Sequence, residues 1–199
     1  ARESKYINSI VVSTDDEDIF NISESFDVEV IKRPENLSRD DSPTIDVIFH
    51  VLEQSKIRVH KPNIVVLLQP TSPLRTSSDI DAAIELFLQR DCDSVVSVVQ
   101  NVHPPHWNLV LEEKYLKPLL GEQFFTKRRQ ELPETYLPNG AIFIAETKTL
   151  KMYRSFYCPK AIPFIMSIEK SVDIDSLFDL FIAEEIMKKG DETYKDNKN

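Results

Sequence analysis

Two aspartates separated by a single residue, Asp173 and Asp175 in the run SVDID (171–175), carry the clearest chemical signal in the chain. In an extended segment alternate side chains share a face, so both carboxylates would point the same way. Such a pair is a hard oxygen ligand set suited to Mg²⁺, which keeps several waters and bridges to substrate phosphates. The same residues also fit a purely structural role, with Asp175 or Ser176 capping the following helix and Asp173 solvated. A second signal is LLQPTSPLR (67–75), a polar loop stiffened by Pro70 and Pro73. The prolines reduce the freedom lost on binding. Gln69 can both donate to and accept from a base edge or a sugar hydroxyl, and Thr71, Ser72 and Arg75 add further polar groups.

Isolated cations complete the set. Arg33, before Pro34, offers a planar fork for phosphate or a base carbonyl, and Ser38, Arg39, Asp40 and Asp41 lead from it to the next helix. In the run Lys127, Arg128, Arg129 one cation can grip a carboxylate, although three adjacent cations also make an ordinary solvated patch. Asn139, between Pro138 and Gly140, reads as turn chemistry before a strand. His103, Pro104, Pro105, His106 and Trp107 lack the spacing of a metal set and read as shape.

Composition narrows the chemistry. Lys and Arg total 24 against 33 Asp and Glu, a formal charge of -9 in 199 residues, which argues against a polynucleotide partner and leaves local anion sites open. Only three glycines occur, at 121, 140 and 190, so the chain has neither a P-loop nor a dinucleotide fingerprint, and kinase-like and dehydrogenase-like readings fall. A serine-hydrolase elbow is missing as well. Cys92 and Cys158 form no disulfide framework and read as buried thiols. No apolar run has membrane-spanning length and no signal peptide is visible, so a cytoplasmic location is expected.

Strands and helices alternate around these residues. Buried strands are expected at 9–13, 28–32, 64–68, 94–99, 141–145 and 162–167. Between them, Thr14 caps a helix with Ile19, Phe20 and Ile22 as its apolar side. Ser42 and Pro43 open a helix to about Gln54. Ser78, Asp79 and Asp81 open one through Arg90, with Ile80, Ala83, Ile84, Phe87 and Leu88 inward. A short helix covers 148–154. A last one starts near Ser176, bears Phe178, Phe181, Ile182 and Ile186 on one side, and stops at Gly190. Residues 101–138, broken by prolines, form an excursion. The alternation implies a single α/β domain with a mostly parallel sheet flanked by helices. Ligands then sit at the carboxyl ends of strands, at 13–16, 33–41, 69–75 and 173–176.

Taken in order, IVVSTDDEDI (10–19), Arg33-Pro34, LLQPTSPLR, RQELPETYLPNGAIFI (129–144) and SVDID resemble the acylneuraminate cytidylyltransferases over nearly the whole chain. The resemblance implies a Rossmann-like, nucleotide-diphospho-sugar transferase-like fold and a homodimer built through the 101–138 excursion. It implies that CMP passes from CTP to the anomeric hydroxyl of a nonulosonic acid with release of pyrophosphate. Asp173 and Asp175 would hold Mg²⁺, Arg33 would sit by the nucleotide, Gln69 and Asn139 would bind substrate, and Arg129 would address the sugar carboxylate. Phe143, Phe156 and Tyr157 would line the pocket for the acyl substituent. Ser72 and Arg75 belong to the substrate-binding loop.

The family begins with a strand and a basic, glycine-containing phosphate loop, and the chain starts after it, so a preceding unit is expected outside this sequence. Leu137 and His106 stand where some sialate-activating relatives carry basic residues. The acceptor is therefore open between N-acetylneuraminate and legionaminate-like acids, with 2-keto-3-deoxy-manno-octonate activation as a further alternative. A non-catalytic binding remnant is the rival from another class.

Overall fold

The computed structural model describes residues 1–54 and 62–196. Its elements run β1 (Val11–Thr14), α1 (Glu17–Glu24), β2 (Glu29–Lys32), α2 (Thr44–Gln54), β3 (Ile64–Leu67), α3 (Ser77–Gln89), β4 (Ser94–Gln100), β5 (Leu109–Glu112), β6 (Tyr115–Pro118), β7 (Tyr136–Glu146), α4 (Thr147–Tyr153), β8 (Ala161–Met166) and α5 (Leu177–Asp196). Strands β1 and β2 pair in parallel, while β3, β7, β4 and β8 form a four-stranded sheet in that order. Strand β7 runs antiparallel to β3, with Leu67 opposite Phe143, so that sheet is not wholly parallel. The long excursion before β7 releases that strand from the crossover geometry that keeps βαβ strands parallel.

The chain falls into two compact units. The first comprises 1–67, 76–96 and 142–162. Its core is apolar, built from Ile80, Ala83 and Ile84 of α3, Val95 of β4, and Ile142 and Ile144 of β7. Helix α3 is capped two residues earlier than its sequence pattern suggests, because Thr76 and Asp79 form a reciprocal capping box, which satisfies two orphan donors. Leu88 lies on the exposed side of α3. Helix α1 is capped by Asp16, whose Oδ1 accepts from the Ile19 amide at 2.9 Å, rather than by Thr14. Its apolar residues Ile19 and Ile22 are exposed, and β1 is half-buried rather than fully buried. Helix α2 begins at Thr44, because the Ser42 hydroxyl turns back to accept from the Arg39 amide at 3.2 Å. Cys92 is half-buried and Cys158 buried, and burial raises both thiols above their ordinary value.

The second unit comprises 68–75, 97–141 and 163–199. Its interior is polar as well as apolar: Ser72, Ser97, His106 and Asn139 are buried beside Val98, Leu132, Met166 and Ala183. The excursion is pinched at its base, where Asn101 donates from its amide nitrogen to the Thr135 carbonyl at 2.9 Å and from Nδ2 to Thr135 Oγ1 at 3.0 Å. It therefore ends at Thr135 rather than Pro138, and β7 starts at the next residue. Within it β5 and β6 form a hairpin, Glu112 opposite Tyr115, with Glu113 at φ 54. His106 packs against Phe124 with ring centroids 4.9 Å apart. Helix α5 continues past Gly190, and Phe178 and Phe181 are exposed.

Candidate functional site

In the second unit three separate stretches of sequence meet at Asn139. This residue lies inside strand β7 and is 3% exposed, not in a turn as its flanking proline and glycine suggest. Its Oδ1 accepts from Ser97 Oγ at 2.6 Å and from the Ala141 amide at 3.3 Å. Its Nδ2 donates to Ser171 Oγ at 2.8 Å and to Met166 Sδ at 3.4 Å. Two acceptor positions and two donor hydrogens are all used, so Asn139 is a structural hub. Both polar ends of the Asn139 amide thus meet protein groups in this structure.

The loop after β3 is fastened to this hub. Ser72 has no exposed surface, and its Oγ donates to the Asn139 carbonyl at 2.9 Å, with Asp173 Oδ1 3.5 Å away. Its part is thus to hold the loop from behind. Arg75 Nη1 donates to the Gln69 carbonyl at 2.7 Å and also to the Ser72 carbonyl, closing the loop on itself. Burial pushes the Arg75 guanidinium below its ordinary value. The Gln69 amide nitrogen donates to the Gly140 carbonyl at 3.4 Å, and Gln69 itself is half-buried. On the other side the Ile174 amide donates to the Thr71 carbonyl at 2.9 Å, fixing the aspartate segment against the loop.

That segment leads into α5 through Ser176, one of the two capping candidates. Ser176 and Asp179 close the N-terminus of α5: Asp179 Oδ2 accepts from the Ser176 amide at 2.9 Å and from Ser176 Oγ at 2.6 Å. The Ser176 hydroxyl accepts from the Asp179 amide at 3.3 Å. The Asp175 carboxylate is not used for the cap. Asp173 and Asp175 are exposed and alternate with the half-buried Ile174. Two exposed carboxylates one residue apart are the kind of ligand a hard cation takes alongside water and phosphate, and no group of three or more His, Cys, Asp or Glu that could hold a metal occurs among the described residues.

Arg129 lies elsewhere in this unit, in a single helical turn, Arg129–Glu131. It lines a groove of about 390 Å³ together with Asn101, Gln130, Glu134 and Thr135, and none of Gln69, Asn139 or Asp173 belongs to that lining. Lys127 stands over the Phe124 ring at 5.6 Å, so the basic run divides into separate contacts.

The remaining candidates belong to the first unit. Arg33 donates from Nε to Ser13 Oγ at 3.4 Å and from Nη2 to the Ser13 carbonyl, lying along the carboxyl end of β1. Phe143 and Phe156 are both 7% exposed with centroids 5.5 Å apart, and Tyr157 meets Phe143 edge-on at 6.4 Å. Two of the three expected wall residues are therefore core, and only Tyr157 is exposed.

Sequence reasoning missed Ser97, Met166, Ser171 and Gly140. A signal existed for Ser97: a serine set among valines in SVVSVVQ places a hydroxyl in a buried strand, where it must find a partner.

The alternating strands and helices make an α/β fold. It superposes on a CMP:2-keto-3-deoxy-manno-octonic acid synthetase complexed with CTP with a TM-score of 0.61, at 13% identity over 94% of this chain and 84% of that one. A 4-diphosphocytidyl-2C-methyl-D-erythritol synthase from Anaerococcus prevotii gives 0.55 at 13% identity, covering 94% and 82%. The chain belongs to the cytidylyltransferase family, whose sequence profile matches residues 1–162. It is 34% identical to an N-acylneuraminate cytidylyltransferase of Streptococcus agalactiae over 84% of this chain and 40% of the relative. It is 31% identical to a CMP-N,N'-diacetyllegionaminic acid synthase of Legionella pneumophila over 94% and 82%. The chain thus spans less than half the length of some N-acylneuraminate cytidylyltransferases it matches. No helix among the described residues is long and apolar enough to cross a membrane.

Proposed function

We propose that this protein transfers CMP from CTP to the anomeric hydroxyl of a nonulosonic acid. The observation that carries the reading is the fastening of the Gln69–Arg75 loop to the Asp173–Asp175 segment, through the Ile174 amide and Thr71 carbonyl on one side and through Ser72 on the other. A substrate-recognition loop and two exposed carboxylates are thereby held in register. The anomeric oxygen attacks the α-phosphorus of CTP, a new P–O bond forms, the α–β anhydride bond breaks and pyrophosphate leaves. Asp173 and Asp175 would hold Mg²⁺, which neutralises charge on the phosphates when bound. Gln69 contacts substrate through its amide, Arg75 keeps the loop closed around it, and Arg129 pairs with the acceptor carboxylate. In the first unit Arg33 serves the nucleotide, and Tyr157, backed by Phe143 and Phe156, serves the acyl group of the acceptor.

The family relatives support a sialic-type acceptor, and the 82% coverage of the legionaminic acid synthase supports including legionaminate. The location proposed for the reaction is the cytoplasm. A homodimer through the excursion is supported by Leu109, Leu111 and Leu116, which leave an apolar hairpin face exposed. Paired Leu111→Glu and Leu116→Glu substitutions should then yield monomers in sedimentation, whereas an unchanged mass removes the excursion from the interface.

The test of activity is pyrophosphate release by the purified protein with CTP and Mg²⁺ across N-acetylneuraminate, N,N'-diacetyllegionaminate and 2-keto-3-deoxy-manno-octonate. Release with one of the first two acceptors supports the reading. Silence with all three, or a preference for another nucleoside triphosphate, overturns it.

A further inference from the structure

Gly140 is buried inside β7 at φ +72, and a Cβ built there would stand 2.5 Å from Gln69 Oε1 and 2.6 Å from Ser72 Oγ. Real Cβ atoms essentially never approach a heavy atom that closely, so the missing side chain is what makes room for the Gln69 amide and the Ser72 hydroxyl. The backbone reinforces the arrangement, because the Gly140 carbonyl accepts from the Gln69 amide nitrogen. Arg75 holds the Gln69 carbonyl from the other side, so the peptide of Gln69 is fixed while its side chain lies over the glycine. Gly140 also follows Asn139 directly, and the same short piece of strand therefore sets the hub, the loop and the resting place of the amide.

We propose that Gly140 is a positioning residue that sets where the Gln69 amide meets substrate. The inference rests on the proposed function only in assigning a substrate contact to Gln69. A methyl group at 140 meets both the Gln69 amide and the buried Ser72 hydroxyl, and of the two the flexible amide is the one with room to move.

The test is a double-substitution cycle of Gly140→Ala and Gln69→Ala, read in two ways. In steady-state kinetics Gly140→Ala should raise KM for the substrate that Gln69 contacts by about tenfold, with a smaller change in kcat, and should add nothing in the Gln69→Ala background. In thermal unfolding, which needs no activity, the drop in Tm caused by Gly140→Ala should shrink by about 3 °C or more when Gln69 is already alanine. Backbone strain at positive φ is present in both backgrounds and cancels from the cycle. Additive effects in both readouts overturn the proposal. So does coupling found with Ser72→Ala and not with Gln69→Ala. If Gly140→Ala alone does not fold, the Gln69→Ala background must restore folding, and failure to do so overturns it too. A wild-type protein without cytidylyltransferase activity sinks the proposed function and leaves the unfolding cycle to decide this inference.

Discussion

Ser171 stands between Asn139 and Ser167 as a one-way relay: its hydroxyl accepts from Asn139 Nδ2 at 2.8 Å and donates its only proton to the Ser167 carbonyl at 2.7 Å. Because that proton is committed, the group facing Ser171 must be the amide nitrogen, and the Ala141 amide independently requires oxygen on the other side. Asn139→Asp therefore places an acceptor against an acceptor and buries a charge. A loss of about 3 kcal/mol or more in urea denaturation at pH 8 is expected. The buried carboxyl titrates above its unfolded value, so the missing stability should return as pH falls and be lost again as pH rises through the folded pKa. Equal stability of the variant and the parent at pH 8 would contradict the hub.

Division of labour between neighbouring residues predicts the next result. Ser176 caps α5 and leaves the carboxylates of Asp173 and Asp175 exposed. Asp175→Ala should therefore lower Mg²⁺-dependent turnover by about 10²-fold or more, with stability changed by less than about 0.5 kcal/mol. Turnover is measured as pyrophosphate release across a Mg²⁺ titration, and stability by calorimetry. Full turnover in Asp175→Ala would take the cation away from this segment.

The same cap gives a pH signature. The hydrogen bond from the Ser176 side chain is the main reason that the Asp179 carboxyl lies below the usual carboxylate range. Because the folded value is depressed, its contribution is complete above the unfolded pKa and is lost as pH falls through the folded one. Amide hydrogen exchange in the first turn of α5 should accordingly quicken at acid pH beyond the intrinsic pH effect. Ser176→Ala should reduce the excess, the backbone amides of Asp175 and Ser176 keeping part of it, and an unchanged profile in that variant would assign the cap elsewhere.

The aromatic trio separates structure from recognition. Phe156 is buried against Phe143, so Phe156→Ala should cost about 3–5 kcal/mol. Tyr157 is 63% exposed, so Tyr157→Ala should cost less than about 1 kcal/mol and raise KM for the acceptor more than for CTP. An acceptor KM unmoved by Tyr157→Ala would remove the ring from recognition.

Much of this was legible beforehand. Apolar runs such as IVVL in β3 and AIFIA in β7 declare strands, and TSSD declares a helix start, although Thr76 rather than Ser78 supplies the cap. The loop and the aspartate pair stand out in the sequence because rigid prolines and spaced carboxylates are local signals. The hub was not, because four partners for one asparagine depend on residues 97, 141, 166 and 171 meeting in space, and Pro-Asn-Gly is locally a turn sequence. Exposed Ile19, Ile22, Phe178 and Phe181 defeated the helical stripes for a similar reason: spacing identifies an apolar side without naming what covers it.

Scarcity of glycine leaves a mark on the backbone. Asp27 at φ 52, Glu113 at φ 54 and Arg154 at φ 50 occupy left-handed positions that an L side chain fills at a cost of about 1–2 kcal/mol each. They are unequal as targets for engineering. Arg154 is tied to Asp46 and stands over the Phe49 ring at 5.2 Å, so glycine there would sacrifice contacts along with strain. Asp27→Gly and Glu113→Gly should instead raise the melting temperature by about 2–4 °C apiece, with a lower or unchanged value in differential scanning calorimetry counting against relieved strain. A protein that uses glycine so sparingly thus holds a reserve of thermal stability in its turns, available without touching either the loop or the carboxylates.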